Sequence, residues 1–122
     1  MREPDDRSKL RRMADQCALV VADLADFTYD RFLSEKVLYD ATVMRLLTIG
    51  EDANNLTEAT RELAPTVPWH QIRGMRNVIA HDYFELRPDE IWRTAIEVLP
   101  VFRSELIRLV ELVPERRSKP GS

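Results

Sequence analysis

The sequence predicts an all-α protein, an antiparallel bundle of four main helices with a short helix among them. Only three glycines occur in the 122 residues, while Leu, Ala, Glu and Arg recur throughout, and the latter residues favour helices. Apolar residues repeat at alternating steps of three and four, which is the spacing of one helix face. No segment shows the strict alternation of a half-buried strand. Together these three observations favour a helical bundle.

The length bounds the domain organisation. A chain of 122 residues is long enough for one domain with a core and too short for two ordinary ones. We expect residues 1–114 to form a single helical domain. The last eight residues, 115–122, read ERRSKPGS, which is typical of a disordered basic tail.

Composition and charge narrow the classes of function. No apolar run approaches the roughly 20 residues of a membrane span, and the charged N-terminus lacks the apolar centre of a signal peptide. The single Cys17 cannot form an intramolecular disulfide, so we expect a cytoplasmic protein without membrane association. The net charge of −3 argues against a general nucleic-acid binder. Any anion-binding surface must be local and built from a few arginines.

The first two predicted helices each carry a clear apolar pattern. The first begins near Pro4, Asp5 and Asp6, because acidic residues suit a helix N-terminus. Its stripe comprises Leu10, Met13, Cys17, Val20, Leu24 and Phe27. The second begins after Ser34 as N-cap and continues to Leu63, with a stripe of Leu46, Ile49, Ala53, Leu56, Thr60 and Leu63.

The second helix has two further features. Val37, Ala41 and Met44 lie on a different face from its main stripe, so we expect this helix to pack in the bundle and also against a second surface, such as another copy of the chain. Gly50 lies in mid-helix, where glycine costs roughly 1 kcal/mol relative to alanine. Either another helix approaches closely at Gly50, or the glycine is simply tolerated.

Prolines divide the second half of the chain. Pro65 and Pro68 end the second helix, and Trp69 is expected to close the end of the bundle. A short third helix runs from about Gln71 to Ala80 or His81, with an apolar face of Ile72, Met75 and Ile79. Residues 84–87 form a linker.

The fourth helix begins at Pro88, a favoured first-turn residue, and ends before Pro114. Pro100 interrupts it, and we expect a kink there because proline cannot bond to the Ile96 carbonyl. Its stripe comprises Trp92, Ala95, Leu99, Phe102, Leu106, Leu109 and Val113.

The end of the third helix concentrates the chemically active side chains. At about 100° per residue, Asn77 and His81 lie about 40° apart and share a face, whereas Arg76 and His81 diverge by about 140°. Tyr83 lies within about 20° of Arg76 if the helix continues that far. A two-fold dimer would bring two copies of this helix to one cleft and so overcome the divergence of Arg76 and His81.

The pairing of histidine with arginine indicates a chemistry. Histidine moves protons near neutral pH, and arginine presents a fork of donors to phosphate oxygens. Together, without a metal or cofactor, they suit cleavage of RNA by its own 2′-OH. His81 would act as base or acid and Arg76 would stabilise the charge on phosphorus. The ordinary alternative is a capping histidine, a salt-bridged arginine, a local hydrogen-bonding role for Asn77 and an edge aromatic at Tyr83.

Four nearby residues remain open to two interpretations. His70 either lines the cleft or caps the surface beside Trp69. Arg73, one turn before Asn77, either steers RNA or makes a solvated salt bridge. Glu51 and Asp52 are suited to hold an arginine in place, and a metal at this pair lacks a third ligand.

Residues 65–84, PTVPWHQIRGMRNVIAHDYF, together with Ile49-Gly50-Glu51 upstream and Ile91-Trp92 downstream, resemble the HepT-like toxins of the HEPN superfamily. The resemblance extends over residues 5–113 and centres on the Arg-x4-His-x-Tyr pattern. The chain has Asp52 where many members carry alanine, a difference that affects local packing or charge and leaves the pattern intact.

This resemblance implies a homodimeric bundle with metal-independent endoribonuclease activity in a composite cleft at the dimer interface. Arg76 and His81 would carry the cleavage, with Asn77 and Arg73 supporting the cleft. The implied partner is a minimal nucleotidyltransferase (MntA-like) antitoxin that adds AMP to Tyr83. That AMP would place an anion on the stripe shared with Arg76. The alternative function is a non-catalytic helical partner or substrate subunit of the nucleotidyltransferase.

Overall fold

The computed structural model describes residues 5–114, and all regular structure in that part of the chain is helical. The all-α prediction is therefore confirmed, whereas the predicted tail at 115–122 lies outside the described residues, as does Pro4. The α-helices in this part are α1 (Asp6–Leu24), α2 (Tyr29–Ser34), α3 (Lys36–Asn54), α4 (Glu58–Glu62), α5 (Trp69–His81), α6 (Pro88–Arg93) and α7 (Leu99–Leu112). A 3-10 turn, Tyr83–Glu85, precedes α6, and a π-helical segment, Thr94–Val98, joins α6 to α7.

Helix α1 lies at the centre of the bundle and packs against both α7 and α3. Its N-cap is Asp5, whose carboxylate accepts a hydrogen bond from the Ser8 backbone N–H at 2.8 Å, as a capping residue does. The predicted stripe is buried along the helix, and only Phe27 lies beyond its end and is partly exposed. None of the helices within residues 5–114 is long and apolar enough to cross a bilayer.

The predicted start of the second helix is wrong. Ser34 is the last residue of α2, a short helix that begins after Thr28 as N-cap. The Ser34 hydroxyl donates to the carbonyl of Arg31 at 2.8 Å, so it satisfies a helix C-terminus and does not cap the next helix. Phe32 is fully buried and anchors α2 in the core.

The predicted end of the second helix is also wrong, because the helix is interrupted between Asn54, the last residue of α3, and Glu58, the first residue of α4. Thr57 caps α4 by accepting from the Thr60 N–H at 3.3 Å. The Asp6 carboxylate of α1 accepts from the Thr57 N–H at 3.1 Å and from its hydroxyl at 2.7 Å. These bonds take up the Thr57 N–H and hydroxyl groups, so they favour a cap at Thr57 over a helix that continues through it.

Trp69 begins α5 and is buried, with its ring edge against Phe102 of α7 at a centroid distance of 5.7 Å. Its indole N–H donates to the carbonyls of Ala64 and Arg61 at 3.1 and 3.2 Å. These bonds satisfy carbonyls at the end of α4 and tie the proline-rich turn to the core.

The interruption predicted at Pro100 takes the form of the π-helical segment that precedes it. The Leu99 N–H bonds to the Thr94 carbonyl, five residues back, and Pro100 then lies in the first turn of α7. The wider turn accommodates the missing N–H and the proline ring. The apolar stripe stays buried through this change, with Ala95, Leu99, Phe102, Leu106 and Leu109 at 2% exposure or less.

Candidate active site along the seam of α3 and α5

The site is built on the contact between α3 and α5, which run antiparallel. Near the start of α5, Arg73 Nε donates to Asn54 Oδ1 at 2.7 Å, and one turn later Arg76 Nε donates to Glu51 Oε1 at 2.6 Å. Each step forward along α5 thus meets an earlier residue of α3. We call this contact the α3–α5 seam.

Gly50 sets the distance between these helices. A Cβ atom built on Gly50 would overlap the Cβ of Arg76 and lie 3.0 Å from its Cγ and 3.3 Å from its Cα. The absence of a side chain at Gly50 therefore permits α5 to approach α3 at the residue predicted to bind phosphate. The close-approach interpretation of this glycine is confirmed.

Arg76 is held at the seam from two sides. Besides its bond to Glu51, its Nη1 donates to Asn77 Oδ1 at 3.0 Å. The side chain is 23% exposed, and within residues 5–114 the remaining N–H groups of its fork have no partner. An arginine offers five such donors, so this guanidinium is oriented by a carboxylate and an amide while still open to an oxyanion.

The predicted salt bridges prove only partly right. Glu51 does hold Arg76, and Asp52 holds a different arginine, Arg12 of α1, through bonds of 2.8 and 2.5 Å. Arg73 bonds to the amide of Asn54 and makes no ion pair among the described residues. Asp52 therefore connects α3 to α1 through Arg12, and among residues 5–114 it makes no side-chain bond to α5.

His81 is the last residue of α5 and is exposed. In the described part of the chain, neither of its ring nitrogens has a hydrogen-bond partner, so it does not act as a capping histidine there. Because α5 remains helical through His81, the five-residue step from Arg76 keeps the two side chains about 140° apart around one helix. His70 is likewise exposed and lies in the first turn of α5.

The expected alignment of Tyr83 with Arg76 is wrong. Helix α5 ends at His81, and Tyr83 begins the 3-10 turn, so the two residues share no helical stripe. Instead the Tyr83 hydroxyl donates to Asp40 Oδ1 of α3 at 2.7 Å. This bond raises the pKa of the Tyr83 phenol and, with a bond from Lys36, lowers the pKa of Asp40, because a carboxylate that accepts hydrogen bonds favours its charged form.

Asp40 and Lys36 were not among the predicted site residues. Their spacing on α3 is that of an ordinary i,i+4 ion pair, with Lys36 Nζ 3.0 Å from Asp40 Oδ1. Such pairs are common on exposed helix faces. No sequence signal indicated that Tyr83 would fold back onto this pair.

A cavity of about 410 Å³ lies beside α5, between that helix and α6, and its lining includes Gly74, Met75, Val78, Arg87 and Glu90. None of Arg76, Asn77 and His81 contributes to it. The candidate catalytic residues therefore lie outside this cavity.

The fold, with Arg76 and His81 on one of its helices, is that of a small all-α protein. The family model described as Ribonuclease HepT-like matches residues 8–109. The chain therefore belongs to the HepT-like ribonuclease family of the HEPN superfamily.

Individual relatives agree with this assignment. The chain is 29% identical over 105 residues to a protein of Caldanaerobacter subterraneus subsp. tengcongensis named "Putative RNase TTE0752", covering 86% of this chain and 94% of the relative. It is 30% identical over 87 residues to "Putative RNase MJ1380" of Methanocaldococcus jannaschii, covering 71% and 80%. It is also 26% identical over 100 residues to "Probable ribonuclease HepT" of Thermococcus cleftensis, covering 82% and 91%. Among solved structures, none matches the chain significantly.

Proposed function

We propose that this ribonuclease-family chain is the toxin of a toxin–antitoxin pair and cleaves RNA without a metal, in a cleft shared by two protomers. Arg76 stabilises charge on the scissile phosphate and His81 moves the proton. Asn77 and Arg73 support the cleft. A minimal nucleotidyltransferase antitoxin neutralises the chain by adding AMP to Tyr83.

The observation that carries this proposal is the state of the two principal side chains. The Arg76 guanidinium is oriented by Glu51 and Asn77 and keeps free donors, and His81 is exposed on the same helix without a partner among residues 5–114. A preoriented cation and a free imidazole, brought together from two protomers, suit the charge and proton movements of 2′-OH attack.

An exposed apolar face of α3 favours the proposal that a second protomer completes the cleft. Val37 and Met44 on this face are 84% and 58% exposed. At steps of four and three residues the same face passes from Val37 through Ala41, Met44 and Thr48, and it ends at Glu51, the partner of Arg76. A copy of the chain that covers this face reaches the seam, so its His81 can complement Arg76 across a two-fold axis.

The test of catalysis is RNA cleavage in EDTA by the wild-type chain and two histidine variants. We expect 2′,3′-cyclic phosphate ends, and a loss of about 10²–10⁴-fold in His81→Ala, the range of general acid–base catalysis. His70→Ala is the matched control, since His70 is exposed on the same helix. Cleavage by His81→Ala at the His70→Ala rate would contradict the catalytic assignment.

The shared cleft has its own test. Arg76→Ala and His81→Ala are mixed and allowed to exchange subunits. If each hybrid dimer keeps one complete Arg–His pair, random mixing restores about a quarter of the wild-type activity. No recovery, with hybrids demonstrated by mass, would refute pairing across the interface. A monomer by light scattering at micromolar concentration would refute the dimer itself.

A second candidate function is a non-catalytic substrate subunit of the nucleotidyltransferase. The specific observation in its favour is Tyr83, which is 37% exposed and offers its hydroxyl at the surface. AMP addition without any RNA cleavage by the unmodified chain would favour this candidate. Cleavage that disappears when Tyr83 is modified favours the toxin.

A further inference from the structure

Lys36, Asp40 and Tyr83 form a small polar cluster at the surface, where the 3-10 turn meets α3. One carboxylate oxygen, Asp40 Oδ1, accepts from both the Tyr83 hydroxyl at 2.7 Å and Lys36 Nζ at 3.0 Å. Lys36 Nζ also lies 6.0 Å from the centre of the Tyr83 ring. Asp40 and Tyr83 are 43 residues apart in sequence, so only the antiparallel seam brings them together.

We propose that Asp40 is the proton acceptor for the modification of Tyr83, and that Lys36 positions Asp40 and offsets the charge of the incoming phosphate. This inference rests on the proposed AMP transfer to Tyr83. It adds a catalytic group that the modified chain itself supplies.

The step balances as a nucleotidyl transfer from Mg²⁺–ATP held by the nucleotidyltransferase. The Tyr83 Oη attacks the α-phosphorus, the Oη–Pα bond forms, and the bond from Pα to the pyrophosphate oxygen breaks. Pyrophosphate leaves with the bonding electron pair. The phenolic proton passes along the existing hydrogen bond to Asp40 and then to solvent. A general base must lie within about 2.6–3.2 Å of the proton donor, and Asp40 meets that condition before any nucleotide binds.

The other carboxylates near Tyr83 do not meet this distance condition for a general base. Asp82 and Glu85 flank the tyrosine in sequence and are exposed, but in the described part of the chain neither bonds to the Tyr83 hydroxyl. A further ionisable group that interacts with the cluster is Tyr39, also on α3. Asp40 is thus the one carboxylate already placed on the attacking oxygen within residues 5–114.

The experiment measures AMP addition by intact mass, after the chain is mixed with the minimal nucleotidyltransferase antitoxin of the proposed pair and Mg²⁺–ATP. Asp40→Asn should lower kcat by about 10²-fold or more, as expected for loss of a general base, with KM for the chain little changed. Asp82→Asn removes a charge next to Tyr83 without touching its hydroxyl and should react at the wild-type rate.

Asp40→His distinguishes proton transfer from simple positioning. An imidazole can accept the proton only when neutral, so this variant should regain much of the rate at pH 8 and lose it below about pH 6.5, the ordinary histidine pKa. Circular dichroism verifies that the exposed substitutions leave the fold intact.

The outcomes separate the two claims. If the wild-type chain gains no AMP, or if Tyr83→Phe still gains it, the proposed modification of Tyr83 is wrong and this inference falls with it. If the wild-type chain gains AMP and the Asp40→Asn chain gains it as fast as the Asp82→Asn chain does, only the role of Asp40 is overturned. An Asp40→His profile that follows the wild-type profile would likewise overturn proton transfer to this position.

Discussion

The close contact between α3 and α5 can be tested with a pair of glycine substitutions. Gly50→Ala places a methyl group where it overlaps the Cβ of Arg76, 3.0 Å from Cγ and 3.3 Å from Cα. Gly74→Ala, on α5 itself, places the same methyl group where nothing lies within 4 Å. Both glycines are in helices, so both variants receive the same benefit in helix propensity.

The expected magnitudes follow from two opposing effects. Alanine in place of a helical glycine stabilises by about 1 kcal/mol. Overpacking against the backbone and stem of a neighbouring helix costs about 1–3 kcal/mol, because α5 must shift. Gly74→Ala should therefore raise the free energy of unfolding by about 1 kcal/mol. Gly50→Ala should range from neutral to destabilising by about 2 kcal/mol.

The assay is thermal or urea unfolding of the two variants beside the wild-type chain. A difference of 1–3 kcal/mol corresponds to a gap of roughly 4–12 °C in Tm for a domain of this size. Under the proposed function, Gly50→Ala should also slow RNA cleavage by displacing Arg76, and Gly74→Ala should not. A Gly50→Ala chain as stable as Gly74→Ala would refute the close approach.

Three further predictions concern ionisable groups. The pKa of Tyr83 is raised by its bond to Asp40, so Asp40→Asn should lower the phenol pKa in an ultraviolet titration; an unchanged value would argue against the bond in solution. Burial raises the pKa of Asp6, but bonds from threonine side chains and a backbone N–H outweigh it and lower the pKa. The contribution of Asp6 to the free energy of unfolding is therefore fully present above the pKa that Asp6 has in the unfolded chain. It is lost as the pH falls through the lower pKa of the folded chain. Asp6→Asn should cost about 2 kcal/mol at pH 7, and equal costs at pH 7 and below pH 3 would contradict this linkage. Burial raises the pKa of the Cys17 thiol to about 12, so thiol reagents should label it only after unfolding, and rapid labelling of the native chain would contradict that burial.

Local patterns predicted where most helices lie but not where they break. The predicted stripe keeps helical spacing across residues 55–57, and Leu46, Ile49, Ala53 and Leu56 are indeed in the core, whereas Leu63 at its end is 50% exposed; the spacing alone therefore gave no sign of the break. At the break, Thr57 donates two bonds to the carboxylate of Asp6, a residue 51 positions away in sequence. Ser34 failed as a predicted cap because it ends α2, where its hydroxyl donates to the carbonyl of Arg31.

The sequence by itself determined the helical class, the buried stripes and the placement of Arg76 and His81 on one helix. These follow from the 3.6-residue period and from prolines at helix boundaries, which act over a few residues. Only the tertiary structure decided which group each site residue meets. Glu51 reaches Arg76 and Asp40 reaches Tyr83 because α3 and α5 pack antiparallel at the distance that Gly50 permits, and helix register and separation are properties of the packed bundle that no short stretch of sequence specifies.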